Sequence, residues 1–236
     1  MVRFISFDPA VKTLGYIIVD IDPIFFDKNE YKLFNERKDK LLSIASSILS
    51  LSLINMDIIS VLILLEKILR INMELVETLN KMRNMIVLEQ ADTIDLFPDN
   101  KCSEITCIMK IKAATVIMHQ IKNTLDGDEI VLIEYQMADQ AASIAHTIVS
   151  CFYDHEVHFV LPALKNKINV GDVRYSSICK RYSNSYSANK AHALANFILI
   201  KKYYTNNLSD LCNSTKAHEG HIADAFMQIL AFIEYS

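Results

Sequence analysis

Two short apolar runs open the chain, Phe4-Ile5-Ser6-Phe7 and Tyr16-Ile17-Ile18-Val19, separated by Asp8-Pro9-Ala10-Val11-Lys12-Thr13-Leu14-Gly15. They predict strands over 2–8 and 15–20, paired as a hairpin whose turn begins at a carboxylate. Residues 23–80 are charged, then apolar, then amphipathic, and read as an inserted helical block. Met85 to Glu89 is a candidate third strand. A helix is expected from Glu104 to Ile121, with Ser103 or Asn100 near its start and Gly127 closing the next turn. Ile130-Val131-Leu132-Ile133 is a continuous apolar run ending at Glu134, the signature of a strand covered on both faces. Met137 to Phe152 reads as helix, and Val157 to Leu161 as another buried strand, ended by Pro162. The polar, basic, Ser- and Tyr-rich region 163–186 reads as an exposed loop or mobile cover. Ser187 is the expected N-cap of a helix to Tyr204. A last helix runs from Lys216 to the end, with Ile222, Ala225, Phe226, Ile229, Leu230 and Ile233 on its apolar stripe. A hairpin and strand, then strands alternating with helices, then helices, predict one mixed α/β domain over 1–236.

Composition sharpens this picture in three ways. At 236 residues, 51% of them apolar and only four each Gly and Pro, the chain can bury a substantial core with few long loops. The net charge of −4 is no advertisement for nucleic acid, but its distribution is uneven. Lys165, Lys167, Arg174, Lys180, Arg181, Lys190, Lys201 and Lys202 face one acid, Asp172, between 161 and 202, a local excess able to neutralise phosphates. The five cysteines form no CxxC pair, and the N-terminus starts on a strand rather than a signal-like segment, so an intracellular, reducing location is expected. From Leu41 to Leu65 the only charge is Asp57. Six serines and Asn55 dilute that segment. Placing Asp57 near mid-membrane would cost roughly 2.5–3.5 kcal/mol, so buried structure rather than a membrane span is expected.

The chemistry lies at three separated points. Asp8 and Glu134 each end a predicted strand, where rigid backbone can aim a carboxylate. His221 and Asp224, three apart on a helix, face the same way. Hard oxygen ligands converging from different elements are what a magnesium-dependent phosphodiester hydrolase needs. Taken singly, each has a structural reading: Asp8 as a turn-former, Glu134 as a strand-end acid, His221 packed on a core face, Asp224 paired with a lysine. Glu66 and Glu89 share the local look of Glu134, but only Glu134 precedes a helix, a strand, a basic loop and two final helices.

Asp-Pro followed by Gly-Tyr resembles the first hairpin of RuvC-type Holliday junction resolvases, which have the RNase H-like fold. Leu132-Ile133-Glu134-Tyr135-Gln136 resembles their second motif, in the Glu-x-Gln form of the poxvirus and yeast mitochondrial relatives. Residues 187–200 resemble the helix whose early lysine supports catalysis, here Lys190. His221-Ile222-Ala223-Asp224-Ala225 resembles the last motif, where the first position is Asp or His. The resemblance covers about 1–20 and 85–236. It departs at 23–80, which has no counterpart, and at Met137-Ala138-Asp139, where Pro and basic residues often stand.

The resemblance implies an α/β RNase H-like fold with a mixed central sheet flanked by helices. It implies an endonuclease that resolves four-way DNA junctions by paired nicks, acting as a homodimer. Asp8, Glu134, His221 and Asp224 would hold two magnesium ions, with manganese possible because imidazole suits softer ions. Lys190 would supply positive charge to the phosphate. Lys12, Gln136, Lys165, Lys167, Arg174, Lys180 and Arg181 are the expected DNA contacts, with Tyr175, Tyr182 and Tyr186 stacking on opened bases. A poxvirus-like enzyme would work in cytoplasmic viral factories, away from membranes. Two other readings stay open: an RNase H-fold nuclease of hybrids or flaps, and a DNA-binding relative without activity.

Overall fold

Strand β1 (Val2–Pro9) runs antiparallel to β2 (Thr13–Ile21), with Asp8 opposite Gly15. The computed structural model describes residues 1–25, 58–135, 139–169, 173, 175–203 and 216–235, and singly 36, 39, 40, 43 and 46. After the hairpin come helix α1 (Ile58–Arg83) and strand β3 (Ile86–Asp95). Next are α2 (Cys107–Lys122), β4 (Ile130–Glu134), α3 (Asp139–Cys151) and β5 (Glu156–Val160). Two short helices, α4 (Pro162–Lys165) and α5 (Tyr175–Cys179), lead to α6 (Ser185–Tyr203) and α7 (Lys216–Tyr235).

The sheet order is β3-β2-β1-β4-β5. The first three strands are antiparallel, while β4 and β5 run parallel to β1. This is the α/β arrangement expected, a mixed central sheet flanked by helices. Strand alternation sorts the core into two layers. Ile5, Phe7, Tyr16, Ile18, Val131 and Ile133 pack with Ala114 and Met118 of α2 and Ile144 and Ile148 of α3. Phe4, Ile17, Val19 and Leu132 pack on the other face with Phe197 of α6 and Ile222, Phe226 and Ile229 of α7. Those three α7 side chains are fully buried, each worth about 1.5–3 kcal/mol against exposure. The same parity puts Ser6 on the α7 side, where its hydroxyl donates to Gln228 Oε1 at 3.1 Å. Asp8 and Glu134 follow by the same parity.

Several expected boundaries move. Strand β3 continues through Gln90, Ala91, Asp92 and Thr93 to Asp95, because pairing with β2 outweighs the polar composition. The N-cap of α2 is Thr106, whose Oγ1 accepts from the Met109 amide at 3.2 Å, rather than Ser103 or Asn100. Asn184, not Ser187, caps α6: its Oδ1 accepts from the Ser187 amide at 2.8 Å. Strand β5 is an edge strand with Glu156 and Phe159 exposed, not a strand covered on both faces. Part of the presumed loop 163–186 is the helical turns α4 and α5. Most of 26–57 lies outside the described residues. Among the described residues no helix is long and apolar enough to cross a membrane.

Candidate active site

Parallel pairing of β1 with β4 matches Phe7 to Ile133, so Asp8 and Glu134 stand side by side at one end of the sheet. Both are buried. Helix α7 crosses the sheet above them and brings His221 and Asp224 to the same place. His221 Nδ1 lies 2.7 Å from Asp8 Oδ2, and its Nε2 lies 3.4 Å from Thr13 Oγ1. Gly15 permits this approach: a Cβ there would stand 2.6 Å from His221 Cβ. The Gly of the hairpin is therefore set by the helix packed on it.

Two lysines enter the cluster. From α6, Lys190 Nζ donates to Asp8 Oδ2 at 3.4 Å and pairs closely with Asp224 Oδ2. From α4, Lys165 Nζ lies 3.0 Å from Glu134 Oε1 and 3.3 Å from Asp224 Oδ1. Together these groups line a cleft of about 330 Å³ with Pro9, Asn166, Tyr186 and Asn189. A neighbouring cleft of about 560 Å³, reached past Lys190 and His221, is lined by Tyr182, Tyr186, Ala191 and Gly220.

Burial and charge push the carboxylates apart in acidity. Burial alone would raise Asp8, but the His221 hydrogen bond and the Lys190 charge more than offset it, holding Asp8 well below the usual carboxylate range. Burial dominates at Glu134 and, with Asp8 beside it, pushes its carboxyl up to about 8 against the opposing pull of Lys165. The two neighbours are thus pushed in opposite directions, Asp8 towards its ionised form and Glu134 towards its protonated one. Burial opposes the charge on Lys165 and Lys190 as well, yet Asp8 and Asp224, with Glu134 at Lys165, keep both ammonium groups above their ordinary range.

Hard carboxylate oxygens with one imidazole suit a divalent cation such as magnesium or manganese. Two buried carboxyls at adjacent strand ends mark a place where such a cation would relieve repulsion. As they stand, the carboxylates are engaged by lysines, and among the described residues no three His, Cys, Asp or Glu side chains form a ready coordination cluster.

Of the expected residues, Asp8, Glu134, Lys190, His221 and Asp224 come together. Lys165, expected on an exposed loop as a DNA contact, is instead buried among the acids, 8% exposed. Lys12 sits at the hairpin turn, 3.8 Å from Asp95. Lys180, Arg181 and Lys167 are exposed, the last with its ammonium over the Tyr235 ring. Gln136 and Arg174 lie outside the described residues. Tyr182 and Tyr186 are exposed, whereas Tyr175 is partly buried, its hydroxyl donating to Asn189 and its ring against His192. Glu66 and Glu89 are exposed on α1 and β3. The sequence placed Lys165 among the DNA contacts and not in the carboxylate cluster. Its signal was Pro162 directly after β5, since Pro at the first helical position starts a turn beside the end of β4.

No protein-family model matches the chain, and no curated protein matches it. Among solved structures, the chain is similar to the Fowlpox virus resolvase determined with substrate Holliday junction DNA. The likeness is 14% in sequence identity with a TM-score of 0.49, covering 98% of this chain and 97% of that one.

Proposed function

We propose that the protein is a divalent-metal-dependent endonuclease that cuts four-way DNA junctions. One observation carries this reading. Asp8, Glu134, His221 and Asp224 converge from two strands and a helix on one open cleft, with the Lys190 ammonium among them. Their order along the chain and the short motifs around them resemble those of RuvC-type resolvases, and that resemblance directs the choice of substrate.

Asp8, Glu134 and Asp224 would hold the metal, with His221 beside Asp8 as a further ligand. Magnesium or manganese supplies an activated water and charge stabilisation at the leaving oxygen when bound. The chain's own residues do the rest. Buried strand ends keep Asp8 and Glu134 fixed, so the site needs little reorganisation during reaction. Lys190 is partly exposed to the cleft and can turn from Asp224 towards a phosphate as negative charge grows there. Tyr182 and Tyr186 offer exposed rings next to the cleft, suited to stacking on unpaired bases at a crossover. Lys180 and Arg181 add backbone-phosphate contacts. A four-way junction carries two equivalent scissile phosphates, which a two-fold dimer would meet with two sites and paired nicks.

The test is substrate choice: equal concentrations of a labelled four-way junction, an RNA–DNA hybrid and a flap, each with magnesium or manganese. Preferential junction cleavage supports the proposal. Preferential cleavage of the hybrid or flap replaces it with a general RNase H-fold nuclease. Junction binding without cleavage of any substrate, by folded protein, replaces it with a DNA-binding role.

A further inference from the structure

Helix α5 is a single turn with no buried residue, too short to persist by itself in water. Its half-buried residues, Tyr175, Ile178 and Cys179, share one helical face, and the helix lies against α6. Tyr175 makes specific contacts there. Its hydroxyl donates to Asn189 Oδ1 at 2.5 Å, and its ring stands edge-on to His192, with centroids 5.2 Å apart. The His192 ring is itself fixed. It is buried in α6, and Asn196 Nδ2 donates to its Nε2 at 3.0 Å and to the His192 carbonyl oxygen at 2.9 Å.

The chain leaves α5 in a tight turn. The Arg181 amide donates to the Ile178 carbonyl at 2.9 Å, and the Tyr182 amide to the Cys179 carbonyl at 3.2 Å. Lys180 and Arg181 are exposed on this turn, and Tyr182 lines the cleft that Lys190 and His221 also line. Asn189 directly precedes Lys190, so the anchor of the turn and the site lysine are neighbours on α6. We propose that Tyr175 is a positioning residue that holds Lys180 and Arg181 beside the cleft, where they meet backbone phosphates of bound DNA. This rests on the junction-nuclease reading above and deepens it. It also replaces base stacking as the role of Tyr175, whose ring is engaged by His192 and whose hydroxyl is engaged by Asn189. A base stacker acts on unpaired bases alone. Cations on phosphates act on any DNA, and each contributes about 1 to the slope of log affinity against log salt.

The test is binding of a labelled four-way junction and of a fully paired duplex by the full chain, measured by fluorescence anisotropy across salt concentrations without divalent metal. Tyr175→Ala is expected to weaken both and to reduce the slope by about 1–2, as the Lys180→Ala, Arg181→Ala double variant does. Adding Tyr175→Ala to that double variant should cost nothing further. A loss confined to the junction, with the slope unchanged, overturns the inference and makes Tyr175 a base stacker. Unchanged binding of both DNAs, or an equal further loss in the triple variant, also overturns it. All three leave the nuclease reading standing, whereas a folded wild type that binds neither DNA overturns both. Should Tyr175→Ala fail to fold, Tyr175→Phe keeps the ring, removes the hydrogen bond and decides by the same criteria with a smaller loss.

Discussion

Gly15 lies so close to His221 that a methyl group on it would stand 2.6 Å from His221 Cβ and 3.0 Å from the His221 carbonyl carbon. In the hairpin register Gly15 is also the partner of Asp8. One glycine thus sets the separation between the hairpin and the helix carrying His221 and Asp224. Gly15→Ala should push α7 off β2 and cost about 1–3 kcal/mol, the usual penalty of overpacking. Urea denaturation checks the stability. Junction cleavage should fall even where the protein remains folded, because both α7 groups shift with the backbone.

Acidity at Glu134 makes metal-free stability depend on pH. Its carboxyl is raised from the ordinary range to about 8 in the folded protein. Between those values the folded state binds more protons than the unfolded chain, so stability falls as pH rises. Thermal melting of metal-free protein should therefore show a decreasing Tm from pH 5 to 8 and no further fall from this group above that. Glu134→Gln removes the slope. Magnesium or manganese should flatten it too, because a bound cation favours the ionised form.

Lys190 is assigned charge stabilisation rather than binding. Lys190→Ala should reduce single-turnover junction cleavage by about 10²–10³-fold, the range found when one donor to developing negative charge is lost. Junction affinity in calcium, measured by gel shift, should change far less. An equal loss of affinity and rate would make Lys190 a phosphate anchor instead.

The exposed rings of Tyr182 and Tyr186 should contribute to affinity without contributing to the fold. Each substitution to Ala is expected to weaken junction binding by about 1–3 kcal/mol, the worth of one base–aromatic stack. Fully paired duplex should be bound as before, since its bases are not available, and the melting temperature should stay within a degree or two.

The legible part of this molecule was periodic or ended in a turn. The apolar runs in 2–8 and 130–134 each end at a carboxylate, which put Asp8 and Glu134 at strand ends, and the spacing of three put His221 and Asp224 on one helix face. Four short motifs in order implied one site, and Asp8, Glu134, Lys190, His221 and Asp224 come together at one end of the sheet. The place of Lys165 among the carboxylates was not legible because its helix is a single turn at the start of a basic, Ser- and Tyr-rich segment, so composition suggested a loop. Burial there comes from tertiary placement of α4 against α7, which no local pattern reports. The edge position of β5 was equally hidden, because Val157-His158-Phe159-Val160 looks the same whether one neighbour or two lie beside it. Strand β3 ran past its apolar residues because its partner β2 supplied the hydrogen bonds. The caps missed at Thr106 and Asn184 differ from the expected ones by only a few residues among several capable side chains.

The carboxylates joined by α7 are proposed to cut junction DNA with a divalent metal. Cleavage of an end-labelled synthetic four-way junction by the wild type and Asp224→Asn, in magnesium and separately in manganese, tests it most directly. Paired, symmetric nicks by the wild type are expected in at least one metal, with loss of both nicks in Asp224→Asn while junction binding is retained. A folded wild type that binds the junction and leaves it intact in both metals would contradict it, as would an Asp224→Asn protein that cuts as well as the wild type.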